Sequence, residues 1–220
     1  MTKNKTPIIA ISIGDPAGVG PEVTAKALAL SEVWDCCRPL TVGAASVLSK
    51  AAELLGTGQT FHVISDPTQA RFAPRSPDVL DVPRPDISGV APGQVSAIAG
   101  QASVDYVERA VQLVQQGHAD AICTGPINKT ALKAAGIPHI GHTELLGELL
   151  GEPDVTTMLA TTGLRVVHVT RHVGLGEVAA RITLDNVLNT TFLTHEGLCQ
   201  MGIKSPRIAV AALNPHGGDN

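Results

Sequence analysis

The sequence predicts an α/β fold built on largely parallel sheets, and three observations carry that expectation. Seven short runs rich in Val, Ile, Leu and Ala are nearly continuous in apolar character, which suits strands buried on both faces. The segments between them space their apolar residues at helical intervals. Strands alternating with helices then define the class. The 220 residues, 44% of them hydrophobic, exceed what one small core needs and fall short of two full domains at ~100–200 residues each. Two compact lobes are expected, or one domain and part of another.

In chain order the strand-like runs are Pro7–Ile13, Pro39–Gly43, Phe61–Ile64, Asp120–Cys123, Val155–Ala160, Leu164–Val169 and Arg207–Leu213. Helices are predicted over Pro21–Leu30, Ala44–Leu55, Ser96–Gly117, Asn128–Ala135, Thr143–Leu150 and Leu184–Met201. The clearest is Ser96–Gly117, where Val104, Val107, Val111 and Val114 recur at intervals of three, four and three. Glu108 and Arg109 sit off that stripe, and Gly117 ends it. Asn128 is a candidate cap. The Pro-rich stretch Pro74–Pro92 reads as an irregular excursion or an added hairpin that could cover a sheet edge. Five aromatic residues in the whole chain leave the cores to aliphatic packing.

Charge and cysteine usage narrow the function classes. With 16 basic and 20 acidic residues the formal net charge is −4, against the basic excess of a nucleic-acid-binding domain. No apolar run reaches the ~18 residues of a membrane helix, and Met1–Thr6 is not the start of a secretory signal. A soluble, cytoplasmic protein is expected. Cys36, Cys37, Cys123 and Cys199 follow no CxxC spacing, and the adjacent pair does not suit a disulfide. All four read as reduced thiols.

Four segments could carry chemistry. Gly14-Asp15-Pro16-Ala17-Gly18-Val19-Gly20-Pro21-Glu22 follows a strand and opens a helix. Its glycines permit a tight turn and its free N–H groups favour an anion. Gly14, Gly18 and Gly20 are not spaced as a dinucleotide-binding GxGxxG, so a structural turn and a ligand loop stand at even weight. Thr124-Gly125-Pro126-Ile127-Asn128-Lys129 also follows a strand, at the end where open α/β sheets hold ligands. Lys129 could meet an anion, or be a solvated lysine at a helix start. In Gly141-His142-Thr143-Glu144, Thr143 is a candidate helix cap and His142 a candidate donor to an anionic substrate. His168 reads as a half-buried structural imidazole. His172 and His216 each follow a strand and could share a metal ion, although a catalytic ion needs about three protein ligands and spacing alone leaves surface histidines ahead.

Taken together and in order, GDPAGVGPE, TGPINK, GHTELL, RVVHVTRHVGL and NPHGGD resemble the 4-hydroxythreonine-4-phosphate dehydrogenases of vitamin B6 biosynthesis and their paralogues. The resemblance runs from Ile8 to Asp219. It implies two α/β/α lobes of the isocitrate and isopropylmalate dehydrogenase type, expected here as residues 1–137 and 138–220, with the second lobe incomplete. It also implies a cytoplasmic homodimer whose active site is completed across the two-fold interface.

By position, the resemblance makes His172 and His216 ligands of a divalent metal (Zn, Mg, Mn or Co) and makes His142 and Thr143 contacts to a phosphorylated hydroxy-acid substrate. It implies NAD or NADP as oxidant of the secondary alcohol of 4-phosphooxy-L-threonine, giving a β-keto acid that decarboxylates. The alternative substrate is D-threonate or D-erythronate 4-phosphate, and a non-catalytic phosphate-binding fragment is a reading of another class. A β-decarboxylating dehydrogenase of the isocitrate type ranks low, because those enzymes use aspartates where this chain offers His172 and His216. The family continues beyond NPHGGD through a Tyr-His-Asp-Gln-Gly motif whose histidine is the third metal ligand, so a truncated chain without a complete active site is expected.

Overall fold

The computed structural model describes residues 6–138, 141–152 and 154–216. It separates into two compact units, Met1–Gly151 and Glu152–Asn220.

The first unit is a five-stranded parallel sheet between helices. Strand β1 (Ile8–Ser12) leads into helix α1 (Gly20–Leu28), a short helix α2 (Ser31–Cys36) and strand β2 (Arg38–Gly43). Helix α3 (Ala45–Leu54), strand β3 (His62–Ile64) and strand β4 (Asp78–Asp81) follow, then helix α4 (Ala97–Gln115), strand β5 (Ala121–Thr124), helix α5 (Lys129–Ala134) and helix α6 (His142–Leu150). The strand order is β3-β4-β2-β1-β5 and every pairing is parallel. Ile11 of β1 stands opposite Thr41 of β2 on one side and Cys123 of β5 on the other.

The apolar runs form β1 and β2 because both faces are covered. Ala10, Leu40, Val42, Ile64 and Leu80 pack with Ala110 and Leu113 of α4. Val79, one residue out of phase with Leu80, packs with Ala25 and Leu28 of α1 and Leu48 and Ala52 of α3. Alternate residues of a strand therefore feed opposite layers. The predicted stripe on α4 is buried as expected: Val104, Val107 and Val111 pack against Leu132 of α5 and Leu145 of α6. Burial of each such side chain is worth about 1.5–3 kcal/mol.

Several expectations are revised. The Pro74–Pro92 stretch contains β4, a strand inside the sheet between β3 and β2. Asp78 and Asp81 break its apolar run, yet both carboxylates are used. Asp78 is fully buried and accepts from the backbone N–H groups of Arg71 (3.0 Å) and Phe72 (2.6 Å) and pairs with His62 Nδ1 (2.7 Å). Asp81 accepts from the Ala45 N–H at 2.8 Å, at the start of α3. Helix α2 was not anticipated; it is six residues long and has no buried residue to mark a stripe. Helix α6, expected in the second lobe, lies in the first unit, because Leu145 is buried with α4 and α5.

The second unit departs further. Strands β6 (Met158–Thr161) and β7 (Leu164–Val167) form an antiparallel hairpin, where the runs suggested parallel strands buried on both faces. A two-residue connection with Gly163 at φ +81° accounts for it, since such turns favour positive φ. Helix α7 (Val178–Arg181) and helix α8 (Leu184–Gln200) follow, with Thr183 capping α8 through the Asn186 N–H. Arg207–Leu213 forms no strand and Val210 and Leu213 are exposed. A strand needs a partner for its N–H and C=O groups, and none among the described residues pairs with this run.

Candidate functional site

In the sheet of the first unit, β1 has β2 on one side and β5 on the other, so the connections reverse direction at the β1–β5 boundary. Open α/β sheets bind ligands at that crevice, beyond the carboxyl ends of the strands. The segments following β1 and β5 are the GDPAGVGPE and TGPINK loops.

These loops are pressed backbone to backbone. Asp15 N–H donates to the Pro126 carbonyl at 2.9 Å, and Gly125 N–H donates to the Ser12 carbonyl at 2.7 Å. A Cβ at Gly14, whose φ is +72°, would stand 2.7 Å from the Gly125 carbonyl carbon. A Cβ at Gly20 would collide with the Ile13 carbonyl oxygen. Gly18 has more room, its nearest neighbours being 3.4 Å away. The buried Asp15 carboxylate accepts from the Ala17 N–H at 2.8 Å, and the Gly18 N–H donates to the Asp15 carbonyl at 3.0 Å. The turn thus uses the N–H groups of Asp15, Ala17 and Gly18 on itself and on Pro126. Its observed role is to fix the crevice wall. Burial raises the Asp15 pKa above the usual 3.8, partly offset by the Ala17 and Gly18 N–H groups.

On the β5 side, Asn128 caps α5, its Oδ1 accepting from the N–H groups of Thr130 (2.9 Å) and Ala131 (3.2 Å). Thr124 is half-buried at the end of β5, and Lys129 is exposed at the start of α5.

Helix α6 brings His142 to this same edge. Gly141 is its N-cap and His142 its first residue, so Thr143 lies within the first turn and is not the cap. The half-buried His142 ring sits beside the Gly125 backbone, while its Nε2 is buried with no hydrogen-bond partner. Burial lowers its pKa from 6.5, and a hydrogen bond to the Gly125 backbone acts in the other direction. An orphaned buried ring nitrogen, able to donate once the imidazole is protonated, beside the free N–H groups of a helix start is suited to an anion. Sequence reasoning singled out His142 and Thr143 as candidates but not the proximity of His142 to Gly125, which depends on α6 packing against α4 and α5. It also missed Ser12, the last residue of β1, whose buried Oγ has no partner.

In the second unit, His172 has φ +54° and an exposed side chain. Its neighbour Arg171 holds that turn by donating to Thr157 Oγ1 and to the Val155 carbonyl, the latter at 3.3 Å. His216 is exposed, and so is His168, against the half-buried imidazole expected there. Neutral imidazole suits Zn²⁺ and related ions, so the donor chemistry of His172 and His216 fits two metal ligands. Among the described residues no group of three or more His, Cys, Asp or Glu side chains could hold an ion. No helix among the described residues is long and apolar enough to cross a membrane.

Fold and site together define an α/β protein with a crevice at a topological switch point, lined by His142. The family described as pyridoxal phosphate biosynthetic protein PdxA matches residues 35–220, and the chain belongs to it. The D-threonate 4-phosphate dehydrogenase of Cupriavidus necator is 43% identical over 217 residues, covering 97% of this chain and 64% of the relative. Among solved structures, a 4-hydroxythreonine-4-phosphate dehydrogenase from Burkholderia phymatum is 42% identical with a TM-score of 0.87, covering 98% of this chain and 65% of that one. Another from Klebsiella pneumoniae is 35% identical with a TM-score of 0.89, covering 99% and 66%. The chain spans about 64% of the length of the curated relatives it matches.

Proposed function

We propose that the protein oxidises the secondary alcohol of a four-carbon, 4-phosphorylated hydroxy acid with NAD⁺ or NADP⁺, and that D-threonate 4-phosphate is its substrate. The observation that carries this reading is the buried, unpartnered Nε2 of His142 beside Gly125, at the crevice where the family match leads one to seek a phosphorylated ligand. His142 would donate to a phosphate oxygen, while the first turn of α6, including Thr143, adds N–H groups and the positive end of the helix dipole. The β1 and β5 loops would hold the crevice in shape through Gly14, Asp15, Gly20 and Gly125.

His172 and His216 would hold the divalent ion, which when bound polarises the alcohol and lowers its pKa. Arg171 keeps the His172 turn in place. A nicotinamide cofactor, when bound, would supply the hydride acceptor. A cytoplasmic homodimer with the active site at the subunit interface belongs to the same reading.

The 43%-identical D-threonate 4-phosphate dehydrogenase of Cupriavidus necator favours the sugar-acid phosphate. 4-Phosphooxy-L-threonine, with its place in vitamin B6 biosynthesis, is the second reading, favoured by the printed names of the two solved structures. The test is turnover of the two phosphates side by side with each nicotinamide cofactor and a divalent ion, using the protein that carries these residues. Reduction of cofactor with D-threonate 4-phosphate at least tenfold faster supports the first reading. The reverse ratio supports the second, and no turnover of either refutes both.

A further inference from the structure

At the opposite end of the sheet, helix α2 delivers two adjacent thiols to one point. Cys36 Sγ and Cys37 Sγ each donate to the carbonyl oxygen of Val33 at 3.3 Å. Two sulfurs on one acceptor lie on the same side of the chain, no farther apart than twice that distance. Trp34 anchors the helix that presents them, its indole N–H donating to the Leu28 carbonyl at 2.9 Å. Cys36 is exposed and Cys37 half-buried. Both precede the amino end of β2, away from the loops beyond the carboxyl ends of the strands.

Adjacent residues resist closing a disulfide. Their Cα atoms are ~3.8 Å apart, whereas a relaxed disulfide spans about 4.4–6.8 Å. One ion gripped by two thiolates at bonds of about 2.3 Å needs sulfurs only about 4 Å apart, with no direct S–S bond. Such a pair is suited to a chelated soft ligand more than to oxidation. Burial first, and then its neighbour Cys36, raise the pKa of the Cys37 thiol, so that thiol stays protonated until a ligand displaces its proton.

We propose that Cys36 and Cys37 form a dithiol site for a thiophilic centre that takes two sulfur donors, with trivalent arsenic as the chemical type. With an organoarsenic(III) oxide, two As–S bonds replace the bonds from arsenic to oxygen. The two thiol protons leave with that oxygen as water, and no atom changes oxidation state. The second As–S bond forms intramolecularly, so the chelate outlasts any single-thiol adduct.

The experiment is titration of the reduced 220-residue protein with phenylarsine oxide, read by intact mass during challenge with excess monothiol and then with ethanedithiol. One adduct is expected that resists the monothiol and is removed by the dithiol. Cys36→Ser and Cys37→Ser should each weaken retention at least a hundredfold, while Cys123→Ser and Cys199→Ser retain it, with far-UV circular dichroism verifying the fold of each variant. Tryptic mapping of the wild-type adduct, which needs no variant, should place it on the peptide Ala27–Lys50, because trypsin does not cleave the Arg38–Pro39 bond. An adduct stripped by monothiol, retained in Cys36→Ser, or mapped to another peptide would overturn the proposal.

Discussion

Replacing His142 by leucine tests the phosphate contact most sharply, because binding and stability should move in different directions. The Nε2 of His142 is buried without a partner, and leaving such a group unsatisfied costs about 1–3 kcal/mol. Leucine removes the polar atom and keeps much of the volume, so the unliganded chain should be as stable as before, or more so. The phosphate, by contrast, loses a charge-assisted hydrogen bond worth about 1.5–3 kcal/mol. At 1.4 kcal/mol per decade that is a roughly 10- to 150-fold weaker Kd. Calorimetric titration with D-threonate 4-phosphate supplies the affinity and urea unfolding the stability. A change in Kd of less than threefold, with the fold intact, would refute the assignment of His142 to the phosphate.

Four further outcomes follow from the same geometry. Gly14→Ala and Gly125→Ala should each destabilise the first unit by about 2 kcal/mol or more in urea unfolding, since each Cβ would strike backbone of the facing loop. The folded-state pKa of Asp15 is raised above 3.8, so its contribution to stability is fully present below that value and is lost as pH rises through the folded pKa. Asp15→Asn should therefore flatten the pH dependence of stability in that window and leave neutral-pH stability unchanged or improved; a steeper profile would contradict this. His142 behaves oppositely in direction: with its pKa lowered from 6.5, its contribution is present above about pH 6.5 and is lost as pH falls toward the folded value, a drop His142→Leu should abolish. Asp78→Ala should cost about 3 kcal/mol by chemical denaturation, because it removes the fully buried carboxylate that pairs with His62 and accepts from the N–H groups of Arg71 and Phe72.

The first unit was largely legible because its signals are local. The stripe of Val104, Val107 and Val111 specifies the buried face of α4, and the glycine turns mark the ends of β1 and β5. Strand β4 was hidden because its two aspartates make it look polar, and only the N–H donors of Arg71, Phe72 and Ala45 explain why they are tolerated. In the second unit, local apolar character misled. Leu164, Val166 and Val210 are exposed there, and β6 pairs only with β7 among the described residues. Apolar runs predict burial on both faces only when something covers both faces.

The site was legible in its residue types and less so in its assembly. His142 could be picked from its place before an apolar helix, but its proximity to Gly125 depends on packing of α6 by Leu145 onto α4 and α5. The glycines of the first loop could be read as a phosphate cradle or as a structural turn. The structure puts the N–H groups of Ala17 and Gly18 into bonds within that loop and the N–H of Asp15 onto Pro126, and the unpartnered buried nitrogen is instead His142 Nε2. The exchange of roles comes from backbone hydrogen bonding, which sequence spacing does not encode.

The most direct measurement of the central claim is nitrogen NMR of the histidine rings during titration with D-threonate 4-phosphate. On saturation the His142 Nε2 resonance should move and the ring pKa should rise in the complex, while His118 and His195 are unmoved. A saturating ligand that leaves the His142 ring unchanged would contradict it.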